Sequence, residues 1–456
     1  MHTPRAQDAL SRRTFLAAPG TATAAGPGLA AGAPVAVPDP IDADVLVVGG
    51  GTAGAIAAIQ AGRLGARTVL VEAGSQLGGT LSTGGVDFPG LFHAWGRQVI
   101  AGIGWDLVTQ TAALTASPLP DFSIPTGRWH WKHQVRIHGG LYAAVAEAAC
   151  LKAGVQLRYY ETPLAAEPAP GGGFRVRLAG KGLQADVAAR TIVDCTGGAT
   201  VAGMLGLPRL REEVTQPGTL IYRLGGYVTS KLDLAALGAA AKTAVADGKL
   251  LSVDFRHSIR GFLANGGENA THVPGADSTT SASHSKANAD GRQGLLRMVR
   301  FLKSQPGFEK LTVERLQTET GVRETYRIDG ETRVTVDDYT SGRVFPDAVA
   351  HAFYPVDLHD EKGIQPKHLA EGVVPTVPLG ALIPKGSRDF LVAGRCVSSD
   401  RLANSGLRVQ AACMAMGQAA GAAAALAAKS GTTPGMVPLA DLRMVLQSHG
   451  AIVPGA

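Results

Sequence analysis

Apolar and polar positions are arranged most clearly near the N-terminal end of the folded part of the chain. The run Val45-Leu46-Val47-Val48 predicts an apolar strand. It enters a glycine-rich turn, Gly49-x-Gly51-x-x-Gly54. An Ala-rich helical stretch follows, then a second apolar strand from Thr68 to Val71 that ends in Glu72, 21 positions after Gly51. Further on, Gly140 to Lys152 predicts a helix and Val155 to Glu161 a strand. Phe174 to Leu178 and Gln184 to Ala188 predict an antiparallel ribbon around GGG and GKG turns, and Ala189 to Gly198 a strand running into Thr196-Gly197. Asp389 to Ala420 predicts a strand, a Gly394-Arg395 turn, a loop and a long helix of small residues. The polar stretch Asn265 to Asp290 predicts a long loop, and the tail after Ser430 a short capping helix. No apolar run reaches about 18 residues without Gly or Pro, so no spanning helix is expected.

The first βαβ unit suits a dinucleotide. Glycines at Gly49, Gly51 and Gly54, with Thr52 and Ala53 between them, let the backbone approach a pyrophosphate. The helix N-terminus presents free N–H groups to it, and Glu72 can accept hydrogen bonds from a ribose diol. With 59 glycines in 456 residues, about one such glycine pattern arises by chance, so its context between strand and helix carries the inference. NAD and FAD folds share this unit.

Two later segments, ARTIVDCTGG at 189–198 and DFLVAGRCVSSDRLANSGLRVQAACMAMGQAA at 389–420, resemble flavoproteins of the glutathione-reductase type. More specifically, LGGT at 77–80, ETGVRETYRIDG at 319–330, GRVFPDAVA at 342–350, YPVDLHD at 354–360 and the 382–421 string resemble FAD-dependent oxidoreductases of the FAD_oxidored group. The resemblance covers roughly residues 41–430. One departure is Gly198-Ala199-Thr200, where relatives commonly carry an acid after the Thr-Gly.

The resemblance implies an α/β fold: a Rossmann-like FAD-binding domain with a parallel sheet and a β-ribbon, plus an inserted α+β substrate domain. The FAD domain would be discontinuous, at 41–85, 139–207 and 385–430. The substrate domain would take 86–138 and 208–384, and residues 431–456 a C-terminal tail. The implied cofactor is FAD. Its implied contacts, besides the turn residues and Glu72, are Gly78, Gly79, Thr80, Thr196, Gly197, Gly394, Arg395, Ser405, Leu407 and Arg408. Reduction places negative charge at N1 and O2 of the flavin, and Ser405 to Arg408, read as the opening of the last long helix, supplies a helix N-terminus and a cation for it.

Composition fits a compact soluble protein rich in Ala and Gly, 45% hydrophobic and 18% charged. The first 33 residues differ. Ser11-Arg12-Arg13-Thr14-Phe15-Leu16 precedes an Ala/Gly/Pro tract and Ala31-Gly32-Ala33, which resembles a twin-arginine export signal; the alternative is an uncleaved basic arm. Cleavage after Ala33 removes three arginines and one aspartate and takes the formal net charge from +6 to +4. That charge forms no basic stripe, so no nucleic-acid partner is expected. Cys150, Cys195, Cys396 and Cys413 show no CxxC and no metal spacing.

Catalytic candidates lie in the histidine- and aromatic-rich segments. Asp357 with His359 is either an oriented base or a histidine holding an interface. Arg323, Arg327 and Arg401 either bind an anionic substrate or pair with Glu319, Glu324 and Asp400. His93 beside Trp95 is a candidate for substrate contact or a covalent flavin link. His130, His133 and His138 show no metal spacing, so no metal is expected, and Trp129 and Trp131 either line a ring pocket or pack in the core. Together these features point to an exported FAD-dependent oxidase or dehydrogenase. It would take a hydride from a small organic substrate onto flavin N5 and pass the electrons to oxygen or another acceptor. No second strand–GxGxxG–helix unit is present to hold NAD(P)H. The alternatives are a redox-neutral flavin-containing isomerase or hydratase, and a non-enzymatic flavin-binding protein.

Overall fold

The computed structural model describes residues 40–455 apart from 127–128, 257, 361–362 and 365. The expected export segment, 1–33, lies outside the described residues.

The apolar runs fold into β1 (Ile41–Val48), α1 (Thr52–Arg63) and β2 (Thr68–Glu72). Next come α2 (Gly139–Lys152), β3 (Gln156–Tyr159), β4 (Thr162–Pro168), β5 (Phe174–Gly180) and β6 (Leu183–Asp194). The C-terminal part adds β7 (Phe390–Val392), α3 (Arg401–Leu407) and α4 (Gln410–Ser430). These strands form one sheet in the order β3-β2-β1-β6-β5-β4, with β7 also paired to β6. Pairings among β3, β2, β1, β6 and β7 are parallel, and β4-β5-β6 is an antiparallel ribbon. Side chains alternate across β1: Val45 and Val47 enter the core shared with α1 and α4, while Leu46 and Val48 enter the core on the other face.

The ribbon and the returning strand are one element. β6 runs unbroken for 12 residues, pairing with β5 along 183–189, β1 along 187–194 and β7 along 192–194. β4, whose sequence TPLAAEP carries little strand signal, widens the ribbon by pairing with β5.

α4 lies directly on α1. A Cβ added at Gly417 or Gly421 would overlap the carbonyl oxygen of Ala53 or Ala57, so two glycines four residues apart set how closely the helices approach. By length and composition α4 could cross a membrane, but most of it is buried inside the protein.

A second core gathers Leu220, Tyr222, Leu237, Phe262, Met298 and Phe308. It joins the 218–225 strands to helices Leu234–Ala246, Ile259–Ala264 and Ser281–Lys303. The stretch 265–290 is therefore not a long loop. It holds strands Gly267–Glu268 and His272–Val273 and the first ten residues of a 23-residue helix. That helix is capped by Thr280, whose hydroxyl accepts from Ser283 N, and in its first half it buries only Ala287 and Gly291. Its apolar face there is too small to register in a hydrophobic pattern. The tail holds helix Leu439–Ser448.

Candidate active site

The glycine turn, the 77–80 loop and the 394 turn meet at the C-terminal end of β1. A Cβ on Gly49 would lie 2.6 Å from the Cys195 carbonyl oxygen, and one on Gly54 would overlap the Gly49 carbonyl, so both positions require glycine. Gly78 N donates to Gly50 O at 2.9 Å and Thr52 Oγ1 to Gly78 O at 3.2 Å, which seats Gly78-Gly79-Thr80 against the turn. Gly394 faces Ala53, at 3.2 Å from an added Cβ to the Ala53 Cβ. Glu72 at the tip of β2 accepts from Gly50 N (2.7 Å) and Gly74 N (2.6 Å), leaving one lone pair free on each oxygen. The space over Gly51 is open: an added Cβ meets nothing within 4 Å. An open glycine cradle at a helix N-terminus beside a free carboxylate edge fits the ADP part of FAD.

At the end of β6, the fully buried Asp194 carboxylate takes Thr196 N (3.0 Å), Thr196 Oγ1 (2.7 Å), Val201 N (2.8 Å) and Ala202 N (3.1 Å). It thereby holds Thr196-Gly197 in a fixed bend. Arg395 donates to the carbonyls of Gly197 (2.8 Å) and Val322, with no carboxylate opposite, and burial pushes its pKa down.

The expected helix opening at 405–408 is corrected. Ser405, Gly406 and Leu407 end α3, Arg408 is its C-cap, and Val409 is extended before α4 starts at Gln410. Of the first N–H groups of α4, that of Ala411 is taken by Pro89 O at 2.8 Å. The Arg408 guanidinium is therefore a positive group at the break between the two helices, just before the N-terminus of α4. Its Nη2 donates to Asp357 O (3.1 Å) and Gln216 Oε1 (3.3 Å), and its Nε is buried without a partner.

Asp357 and His359 sit at i and i+2 of an extended segment, so their side chains share one face. Asp357 N is held by Ser405 Oγ (3.0 Å) and His359 N by Gln216 Oε1 (2.9 Å). Their side chains meet at 3.1 Å, Nε2 to Oδ2, and Arg408 Nη2 stands 3.7 Å from the same oxygen. Burial and the charge of Arg323 push the His359 pKa down to about 4, against the pull of Asp357. Burial alone would raise Asp357, but the hydrogen bond from His359 and the surrounding cations hold it at about 2. The pair at neutral pH is thus a carboxylate and a neutral imidazole. Since the carboxylate only accepts, the proton is assigned to Nε2, and Nδ1, buried and without a partner among the described residues, carries a free lone pair.

The other candidates fall elsewhere. Arg327, 3% exposed, pairs with Glu212 at 2.6 Å. Arg401 pairs with Glu324 (3.0 Å) rather than Asp400, which caps α3 through Ala403 N. Arg323 has no acidic hydrogen-bond partner; its Nη1 donates to Pro217 O (2.6 Å) and Thr219 Oγ1 (2.8 Å). His93 stacks on Phe122, ring centroids 3.7 Å apart, and burial with the charge of His133 pushes its pKa down to about 4. His133 bonds Ile124 O and His138 caps α2. Trp129 and Trp131 are exposed and touch edge to face. Among the described residues no group of three or more His, Cys, Asp or Glu could hold a metal ion, and all four cysteines are free and buried. Gln216 and His272 were not legible in the sequence: each stands in an unpatterned segment and gains meaning only from residues far along the chain, Gln216 from Glu324 and His359 and His272 from Thr219 and His359.

This fold and cradle define a flavin-dependent oxidoreductase. The chain belongs to the FAD dependent oxidoreductase family, whose model matches residues 44–446. It is an enzyme, and its cofactor is FAD. No curated protein sequence matches it. Among solved structures, a geranylgeranyl bacteriochlorophyll reductase-like protein from Thermoplasma acidophilum is 14% identical over 90% of this chain and 84% of that one, with a TM-score of 0.43. A p-nitrophenol 4-monooxygenase from Pseudomonas putida is 12% identical over 90% and 84%, with a TM-score of 0.39. Anhydrotetracycline hydroxylase from Streptomyces rimosus is 20% identical over 40% of this chain and only 38% of that one, with a TM-score of 0.29. Likeness at this level says nothing about substrate.

Proposed function

We propose that this enzyme is an exported oxidase or dehydrogenase that removes a hydride and a proton from a small organic substrate. The observation that carries this reading is the Asp357–His359 pair, with an unpartnered, buried Nδ1 on the histidine. Bound FAD supplies the hydride acceptor, at flavin N5. In this reading the 49–54 turn and the 78–80 loop would hold the pyrophosphate, Glu72 the ribose, and Thr196-Gly197 with Gly394-Arg395 the ribityl side. Arg408 would face the negative edge of the reduced ring. His359 Nδ1 takes the hydroxyl or amine proton, and Asp357 fixes the ring and steadies the imidazolium that forms. Electrons then leave to oxygen or another acceptor.

The test is anaerobic mixing of the FAD-loaded protein with alcohols, amines, sugars and hydroxy acids. Loss of the yellow flavin absorbance that returns in air supports the reading. Conversion of a substrate without any bleaching would place the enzyme among redox-neutral isomerases or hydratases, and rapid reduction by NADPH would make it a nicotinamide-driven reductase. Export rests on the Arg12-Arg13 motif. Replacing both arginines by lysine should strand the protein in the cytoplasm, and unaltered export would exclude the twin-arginine route.

A further inference from the structure

The ground around His359 carries more positive charge than its acids neutralise. Glu324 is matched by Arg401. Asp357 faces Arg256, Arg323 and Arg408, and Glu324, already paired with Arg401, is the other carboxylate near Arg323. These three arginines differ in what they hold. Arg408 is tied to Gln216 and to the Asp357 backbone and carboxylate. Arg323 uses Nη1 on a carbonyl and a hydroxyl, leaving Nη2 with one long contact to Asn269 Oδ1 at 3.4 Å. Among the described residues the Arg256 guanidinium has no hydrogen bond or ion pair, although the residue is half-buried.

The position of Arg256 is built. Its backbone stands at φ +52, a left-handed region that is unfavourable for a non-glycine residue. Two residues earlier, Asp254 is locked by Arg297 at 2.7 Å and its carbonyl accepts from Thr271 Oγ1 at 2.8 Å. Thr271 adjoins His272, which pairs with Thr219, the residue whose hydroxyl Arg323 holds. The His272 ring lies 5.4 Å from that of His359. One short ribbon therefore joins Arg256, Arg323 and the Asp357–His359 pair. Burying guanidinium groups with no carboxylate in hydrogen-bond contact is costly, and an entering anion reduces that cost. Their planar forks match a carboxylate in particular.

We propose that the substrate carries a carboxylate, held by Arg256 and the open side of Arg323, with its hydroxyl- or amino-bearing carbon beside His359. This rests on the function proposed above and narrows it to hydroxy or amino acids. The substrate loses its O–H or N–H proton to His359 Nδ1 and its C–H hydrogen with the bonding pair to FAD, forming C=O or C=N.

The experiment measures binding, not turnover. Glycolate, lactate and benzoate are titrated into the FAD-loaded protein against glycolamide, lactamide and benzamide, and followed by the flavin spectrum and by thermal stability. The acids are expected to bind saturably and at least tenfold more tightly than their amides. Arg256→Gln should weaken the acids tenfold or more without changing the amides, and Arg256→Lys should recover part of that loss. Equal binding of acid and amide, an unchanged dissociation constant in Arg256→Gln, or tighter binding of inorganic phosphate than of any carboxylate would overturn the assignment. If neutral alcohols or sugars bleach the flavin while acids neither bind nor bleach, this inference fails and the proposed hydride-transfer function stands.

Discussion

Asp357 accepts the Nε2 proton of His359 at 3.1 Å, and that one contact decides which nitrogen of the ring can work as a base. Among the described residues Nδ1 has no partner, and it lies out of bulk water. Replacing His359 by Gln removes the base but keeps a polar side chain. The rate of flavin reduction should fall about 10²–10⁴-fold, with FAD content unchanged. Asp357→Asn should also slow reduction, because an amide no longer requires the proton on Nε2. Single-turnover stopped-flow with parallel flavin quantitation checks both.

The pH profile follows from the same pair. His359 is neutral down to about pH 4, so the acid limb of the reduction rate should fall near pH 4, not near the ordinary imidazole value of about 6.5. Arg323 is the largest neighbouring charge lowering that pKa, so Arg323→Gln should move the limb upward. Stability has the matching sign: the unfolded imidazole protonates from about pH 6.5 downward while the folded one resists, so His359's contribution is complete above that pH and lost as pH falls towards 4. A rate profile of wild type and Arg323→Gln from pH 3.5 to 8 checks the limb.

At the nucleotide cradle, Gly54→Ala would push a methyl group into the Gly49 carbonyl. The variant should purify with less than about a tenth of the flavin of wild type, since the turn cannot keep its shape. Gly238→Ala is the control. It lies in helix Leu234–Ala246 with nothing within 4 Å of an added Cβ, and should leave flavin content alone and add about 0.5–1 kcal/mol of stability.

Between α1 and α4, Gly421→Ala would place its Cβ on the Ala57 carbonyl oxygen. The helices must separate, at a cost of about 1–3 kcal/mol. Thermal unfolding in excess FAD should show a lower midpoint, and flavin should bind more weakly because α4 carries Cys413, which sits near Gly394.

Much of the nucleotide half could be read from the sequence because its signals are local: a four-residue apolar run, three spaced glycines and an acid at the tip of β2. β4 escaped because TPLAAEP has no alternating pattern, and the helix at 281–303 escaped because Ala and Gly form its inner face near the start. The break at Arg408-Val409 was missed because helix appears on both sides of it, α3 ending at Leu407 and α4 starting at Gln410. In the polar cluster, Asp357-His359, Arg323 and Arg408 could be named from the sequence, but not how they come together. Gln216, which bonds His359 N from 143 residues away, and Arg256 carry no pattern of their own.

The central claim is that His359 accepts a proton as the substrate gives its hydride to FAD. Anaerobic single-turnover reduction of wild type and His359→Gln, with a substrate that bleaches the wild type and with the same substrate deuterated at the oxidised carbon, tests it most directly. The account predicts a slower rate on deuteration in wild type and a loss of at least about 100-fold in His359→Gln at pH 7 with full FAD occupancy. Equal rates in the two proteins at equal flavin content would contradict it.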